Sequence, residues 1–188
     1  MGIIKRVRHC LPVDTLNTLY NTLILPYINY CNIIWARNKV TKINKYTEQQ
    51  QQSNRLHALF VLQKKIVRII TLSPYNSHAL PLFRRLNQLT IYDINKLAVA
   101  TFMYRYENNS LPQVFLGFFV ATSAVHDHYT RSSSKLHILF ARTNIMWNQL
   151  RVHGPKLWNS IDRGMIGGSK NWHSFKRKFK SHLLRDYV

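Results

Sequence analysis

Leu19 to Trp35, LYNTLILPYINYCNIIW, is the longest stretch almost free of charge in the chain. At about 100° per residue, Leu16, Leu19, Tyr20, Leu23, Tyr27, Tyr30, Cys31 and Ile34 fall on one face, which predicts a helical course with that face turned inward. Pro26 interrupts it. A proline inside a helix removes one backbone hydrogen bond and costs roughly 3 kcal/mol, so a kink or brief break is expected there with the same face still buried. Leu25, Ile28 and Ile33 lie off the main stripe, which implies that a second side is covered as well. Asp14 is placed to cap a helix starting at Thr15.

Asn54 to Thr71 carries the clearest helical period, with Leu56, Leu59, Phe60, Ile66, Val67 and Ile70 on one stripe and His57, Lys64, Lys65 and Arg68 opposite. Pro81–Leu86 reads as a short helix. Thr90 followed by Asp93 has the form of a capping box, opening a helix to about Tyr106 with Ile94, Leu97, Ala98, Thr101 and Phe102 inward. Asn108, Asn109 and Pro112 end it. The aromatic run from Val114 to Phe119 is too short to stand alone and is expected to dock on the preceding helices. Glu48 with Gln49 to Gln52 reads as a solvated loop or helix extension, and residues 121–134 are the most loop-like. Leu136, Ile138 and Phe140 alternate against His137, the one strand signal. Gly154 and Pro155 read as a turn, and Gly164, Gly167 and Gly168 as a flexible joint. A last helix from about Asn171 sets Trp172, Phe175, Phe179 and Leu183 on one face, with Lys176, Arg177, Lys178, Lys180 and Arg185 around the rest. These signals predict a mainly α protein, an irregular helical bundle with long loops and at most a minor β element near residues 135–141. The expected division is a helical domain over 1–120 and a loop-rich basic region over 121–188.

Charge changes this picture most. The 188 residues hold 27 Lys and Arg against 7 Asp and Glu, a formal balance of +20 and a pI near 10.4, the footprint of a polyanion-binding protein. A hydrophobic fraction of 46% is that of a globular chain. Two cysteines, Cys10 and Cys31, build no disulfide framework, and Cys31 on the apolar face is expected to be a buried free thiol. The basic N-terminus leads into Asp14 and several Asn rather than an apolar signal core, so an intracellular protein, nuclear or cytoplasmic, is expected. Leu19 to Trp35 is interrupted by asparagines and Pro26 and falls short of the ~20 apolar residues of a membrane span.

No enzyme chemistry is legible. The seven acids are scattered, whereas a two-metal nucleotidyl-transfer site gathers several carboxylates about its cations. His126 and His128 flank Asp127 without a third ligand at a recognised spacing, so no metal is expected. No nucleophile elbow and no phosphate loop appear. Neither a catalytic residue nor a cofactor is assigned.

The order of several short motifs carries more. GIIKRVRHCLP (Gly2 to Pro12), LYNTLILPYINYCNIIW, LQKKIVRII (Leu62 to Ile70), PLFRRLNQLTIYDI (Pro81 to Ile94), FMYRYENNSLP (Phe102 to Pro112), HYTR (His128 to Arg131), GPKLWNSI (Gly154 to Ile161) and FKRKFKSHLL (Phe175 to Leu184) run in the order found downstream of the palm in reverse transcriptases of non-LTR, LINE-type, jockey-like retrotransposons. The chain resembles that carboxyl-terminal region, the thumb and the post-palm segment after it, over nearly its whole length. The resemblance implies a parent RNA-directed DNA polymerase and a segment that grips the template and primer duplex. The family's aromatic-Ala-Asp-Asp motif does not occur, so no catalytic residue carries over. The Glu48 to Gln52 patch departs from the family pattern, and the terminal zinc knuckle of some members is missing. Lys64, Lys65, Arg68, Lys176, Arg177 and Lys180 are the leading candidates for phosphate contact, with Arg131 and Lys156 next. The expected partners are nucleic acid and, in the parent protein, the palm. The rival readings are an orphan fragment with no independent activity and a basic amphipathic helix that lies on a membrane surface.

Overall fold

The computed structural model of the protein describes residues 2–36, 54–125 and 135–187. In chain order these form α1 (Gly2–Val7), α2 (Val13–Leu23), α3 (Leu25–Asn29), α4 (Asn32–Trp35), α5 (Asn54–Ile70), α6 (Ala79–Arg85), α7 (Ile91–Glu107), α8 (Asn144–Trp147), α9 (Leu150–Ser160), α10 (Arg163–Gly167) and α11 (Trp172–Arg185). The class is mainly α, as expected. Among the described residues there is no strand, and the β element reduces to one bridge between Ala121 and Leu136. The Asn159 side chain clips onto Leu136, accepting from its N–H at 3.1 Å and donating to its carbonyl at 2.8 Å. Phe140 is 81% exposed, so the alternating pattern there has no sheet to pack on.

The described residues form two compact units, the first from 2–36, 54–95 and 180–187 and the second from 96–125 and 135–179. The expected boundary at residue 120 does not coincide with them. The divisions fall inside α7 and α11, each of which gives one end to each unit.

In the first unit α5 packs against α1, α2 and α6. Leu16 and Tyr20 of α2, Ile66, Val67 and Ile70 of α5, and Phe83 of α6 are buried. The opening stretch keeps its expected phase only this far. The helix ends at Leu23 and restarts as α3 with Pro26 in its first turn, where a missing N–H is harmless. It breaks again at Cys31, which has a left-handed φ of 48°. Leu23 is already exposed at the end of α2, and with the phase lost twice beyond it Tyr27, Tyr30 and Ile34 of the predicted inward stripe face outward. So is the Cys31 thiol expected to be buried. Ile28, off that stripe, instead packs against the buried Ala36, Leu56 and Ile91. Asp14 is not a cap either. Pro12 occupies that position, and Asp14 lies within the first turn, where its charge still suits the helix dipole.

Three helices end alike. Leu72, Asn87 and Asn109 take left-handed φ values of 53°, 53° and 51°. The following N–H groups of Ser73, Gln88 and Ser110 reach back to the carbonyls of Arg68, Phe83 and Arg105 at 3.0, 2.9 and 2.8 Å. This closes α5, α6 and α7 with the six-to-one bond of a Schellman motif.

The first turn of α7 is buried, so its unpaired N–H groups must be met from inside the protein. Thr90 and Asp93 form the expected cap: Asp93 N donates to Thr90 Oγ1 at 3.3 Å, and that hydroxyl donates to Asp93 Oδ2 at 2.7 Å. Two further donors are met from distant positions that the sequence did not indicate. Thr90 N donates to the Tyr187 hydroxyl at 2.9 Å, and Ile91 N to Gln63 Oε1 at 2.9 Å. Gln63 Nε2 in turn donates to the Leu89 carbonyl and the Tyr20 hydroxyl, both at 2.9 Å. The Tyr187 hydroxyl donates to Asp93 Oδ2.

In the second unit Tyr104, Trp158, Phe175 and Phe179 form an aromatic core, with Tyr104 and Phe175 stacked at 4.6 Å and Phe175 and Phe179 at 5.8 Å. The Trp158 indole N–H donates to Glu107 Oε2 at 2.7 Å. Gly154 and Pro155 are not a turn but lie buried inside α9. A Cβ on Gly154 would stand 2.9 Å from Met103 Sδ, so glycine lets α9 approach α7 closely, and buried Val152 and Trp158 hold the helix across the proline. The three later glycines are likewise no open joint. Gly164 and Gly167 belong to α10, Gly168 caps it, and the chain beyond is tied by Tyr104 Oη donating to the Ser169 carbonyl at 2.9 Å.

Replacing Gln63 by Leu keeps the volume but leaves the Tyr20 hydroxyl, the Leu89 carbonyl and the Ile91 N–H unpaired. A loss of roughly 2–4 kcal/mol is expected from such buried orphans, read as a lower urea midpoint at an unchanged slope.

Burial, with the Asp93 carboxylate beside it, pushes the Tyr187 hydroxyl well above its ordinary value of 10.0. Burial also raises Tyr20, against a smaller lowering from its bond to Gln63, and raises Tyr92. A raised folded-state pKa contributes stability that is fully present below the unfolded value and is lost as pH climbs above it. Stability should therefore hold up to about pH 10 and fall beyond it. Tyr187→Phe is expected to be less stable at neutral pH and to show a shallower alkaline fall in thermal melts, with Tyr20 and Tyr92 supplying the remainder.

Candidate nucleic-acid interface

The predicted contact residues divide by what their side chains already do. On α5, Lys64, Lys65 and Arg68 are each half-buried. Lys64 Nζ lies 4.7 Å from the centroid of the Phe60 ring, so its stem runs along apolar surface while the ammonium keeps an aromatic face. Arg68 has an internal task. Its Nε and Nη2 both donate to the Ser77 carbonyl, at 3.0 and 2.8 Å, and the guanidinium stands 5.8 Å over Tyr75. The group expected to hold a phosphate closes the turn between α5 and α6.

On α11 the apolar stripe expected from the sequence is the buried one. Asn171 Oδ1 accepts from Ser174 N at 2.8 Å and caps the first turn. Phe175, Phe179 and Leu183 are buried, and this fixes the rotation of the helix. Lys176 and Arg177 are thereby exposed and Lys180 half-buried. At helical spacing the three share one side. Lys178 points elsewhere and donates to the Gly168 carbonyl. The α5 cations belong to the first unit, whereas Lys156, Lys176 and Arg177 belong to the second.

Lys156 is exposed on α9, with Nζ 5.4 Å from the Trp147 ring. The sequence reading missed its helical companion, Arg151, which is also exposed and stands 4.8 Å over the Phe118 ring. The Gly-Pro pair hid it: read as a turn, Gly154 and Pro155 placed Arg151 and Lys156 on separate elements, when both lie on α9. Cations seated on aromatic rings offer a nucleic acid both charge for its phosphates and flat faces for its bases. Arg131 lies outside the described residues, as do Glu48 to Gln52 and the group of His126, Asp127 and His128. Among the described residues no group of three or more His, Cys, Asp or Glu is placed to hold a metal ion, and no helix is long and apolar enough to cross a membrane.

Compared with known proteins, the chain matches no family model, no curated protein and no solved structure.

If Arg68 serves the turn, Arg68→Gln should lower the urea midpoint by an amount corresponding to about 1–3 kcal/mol, the worth of a charge-assisted hydrogen bond. It should leave the salt dependence of nucleic-acid binding as in the native chain.

Proposed function

We propose that this chain is a non-catalytic nucleic-acid-binding module, similar to the thumb and post-palm region of a LINE-type reverse transcriptase, that holds a template and primer duplex by its phosphates. The observation that carries the reading is the basic side of α11, where Lys176, Arg177 and Lys180 stand on a helix locked by Phe175, Phe179 and Leu183. The formal balance of +20 over the whole chain favours a polyanionic partner. Lys156 and Arg151 on α9 add aromatic-backed cations, and Lys64 and Lys65 add a basic face on α5. Arg68, bonded to the Ser77 carbonyl, is reassigned to a structural role.

A second reading rests on the exposed Leu23, Tyr27, Tyr30 and Ile34. Apolar side chains exposed together along neighbouring short helices suit a surface covered by another part of a polymerase, such as the palm, and in this reading the chain alone has no independent activity.

Each phosphate neutralised on a duplex releases condensed counterion, so affinity should fall linearly on a log–log plot against salt. Fluorescence anisotropy with a labelled RNA–DNA hybrid is expected to show that fall, and Lys176→Ala, Arg177→Ala and Lys180→Ala together should reduce its slope by about 2–3. An affinity unchanged between low and physiological salt overturns the proposal.

A further inference from the structure

A cavity of about 330 Å³ lies within the second unit, beside the end of α7, and its lining includes Tyr106, Glu107, Asn109, Phe115, Phe119 and Ala121. Its walls are held in place. The Tyr106 hydroxyl donates to the Phe119 carbonyl at 2.9 Å and accepts from the Phe119 N–H at 3.2 Å, and the two rings meet edge to face at 4.8 Å. Phe115 packs edge-on against Phe102 at 5.3 Å. The Glu107 carboxylate is oriented by the Trp158 indole through one oxygen, a neutral donor, and has no ion-pair partner among the described residues. Asn109 is fixed in its left-handed conformation by the turn that ends α7, and its side-chain amide has no partner among the described residues.

The cavity thus offers aromatic walls, an oriented carboxylate that only accepts, and an amide that can donate. Among the nucleobases, guanine alone presents two adjacent donors, N1–H and the 2-amino group, with an acceptor, O6, beside them. Adenine and cytosine each set a ring acceptor next to their amino group, which would face the carboxylate. Uracil has a single N–H between two carbonyls. A basic peptide would also suit a carboxylate, but a chain at +20 repels it and draws in a polyanion.

We propose that this cavity takes an unpaired guanine of a single-stranded nucleic acid, with Glu107 accepting from N1–H and the 2-amino group, the Asn109 amide donating to O6, and the base lying against the aromatic wall. This rests on the nucleic-acid-binding reading above and adds base preference to it. The test is anisotropy on labelled oligouridine carrying one central guanosine, inosine or adenosine, at fixed low salt. The guanosine oligonucleotide should bind about tenfold more tightly than the adenosine one, within the range for a bidentate base contact, with inosine, which lacks the 2-amino group, between them. Glu107→Gln should erase the preference. So should Ala121→Leu, which adds bulk at the cavity wall and leaves the Glu107 side chain in place. If circular dichroism shows either variant unfolded, competition by guanosine monophosphate against adenosine monophosphate on the native chain decides, with only the former expected to displace the guanosine oligonucleotide. Equal affinity for all three oligonucleotides overturns the guanine site while leaving phosphate binding intact. Displacement by a short arginine peptide in preference to guanosine monophosphate assigns the cavity to a basic side chain and overturns it too. Failure of every oligonucleotide to bind removes this proposal and the function it rests on.

Discussion

The first unit depends on how the buried start of α7 is satisfied. A helix N-terminus exposes donors that cannot be left unpaired away from water, and here a Thr90–Asp93 cap, the Gln63 amide and the Tyr187 hydroxyl share the task. Gln63 and Tyr187 come from positions far apart in sequence. The amide of α5 and the chain's penultimate residue are thereby fixed against one short turn, and Tyr20 of α2 is joined to the same network through Gln63. A buried polar network of this kind stabilises only when every member is satisfied, so it also selects one arrangement of the surrounding helices.

The second unit is organised by packing. Tyr104 of α7 stacks on Phe175 of α11, Trp158 of α9 leans on the same ring, and Gly154 removes the side chain that would hold α9 away from Met103. The same contacts set the proposed binding surfaces. Burying Phe175 and Phe179 turns Lys176 and Arg177 outward, and the bond from Trp158 orients the Glu107 carboxylate at the cavity. The basic side of α11 and the orientation of Glu107 at the cavity are thus both consequences of one aromatic core.

The legibility of the site has the same physical origin. The cations of α11 could be placed from sequence because a strong apolar stripe, Phe175–Phe179–Leu183, fixes the helix phase by itself. Arg68 could not. Its alternation with buried residues marks it as outward, but its bonds to Ser77 and its place over Tyr75 arise from a turn whose geometry no period encodes. Arg151 was hidden because a local breaker, Gly-Pro, was overridden by the packing of Val152 and Trp158. The cavity was invisible, since Glu107, Phe115 and Ala121 carry no common spacing.

The sequence by itself determined the helical class, the extents of α5, α6, α7 and α11 to within a few residues, the Thr90–Asp93 cap, the asparagine stop after α7 and the strongly basic charge. All of these rest on local propensity, periodicity or summed charge, which need no knowledge of neighbours. Tertiary structure alone decided that Tyr27, Tyr30 and Ile34 are exposed, that Gly154 and Pro155 lie within a helix, and that Gln63 and Tyr187 complete a distant cap. Each of these depends on which surfaces meet. A short break at Ile24 or Cys31 rotates every later side chain away from its extrapolated face.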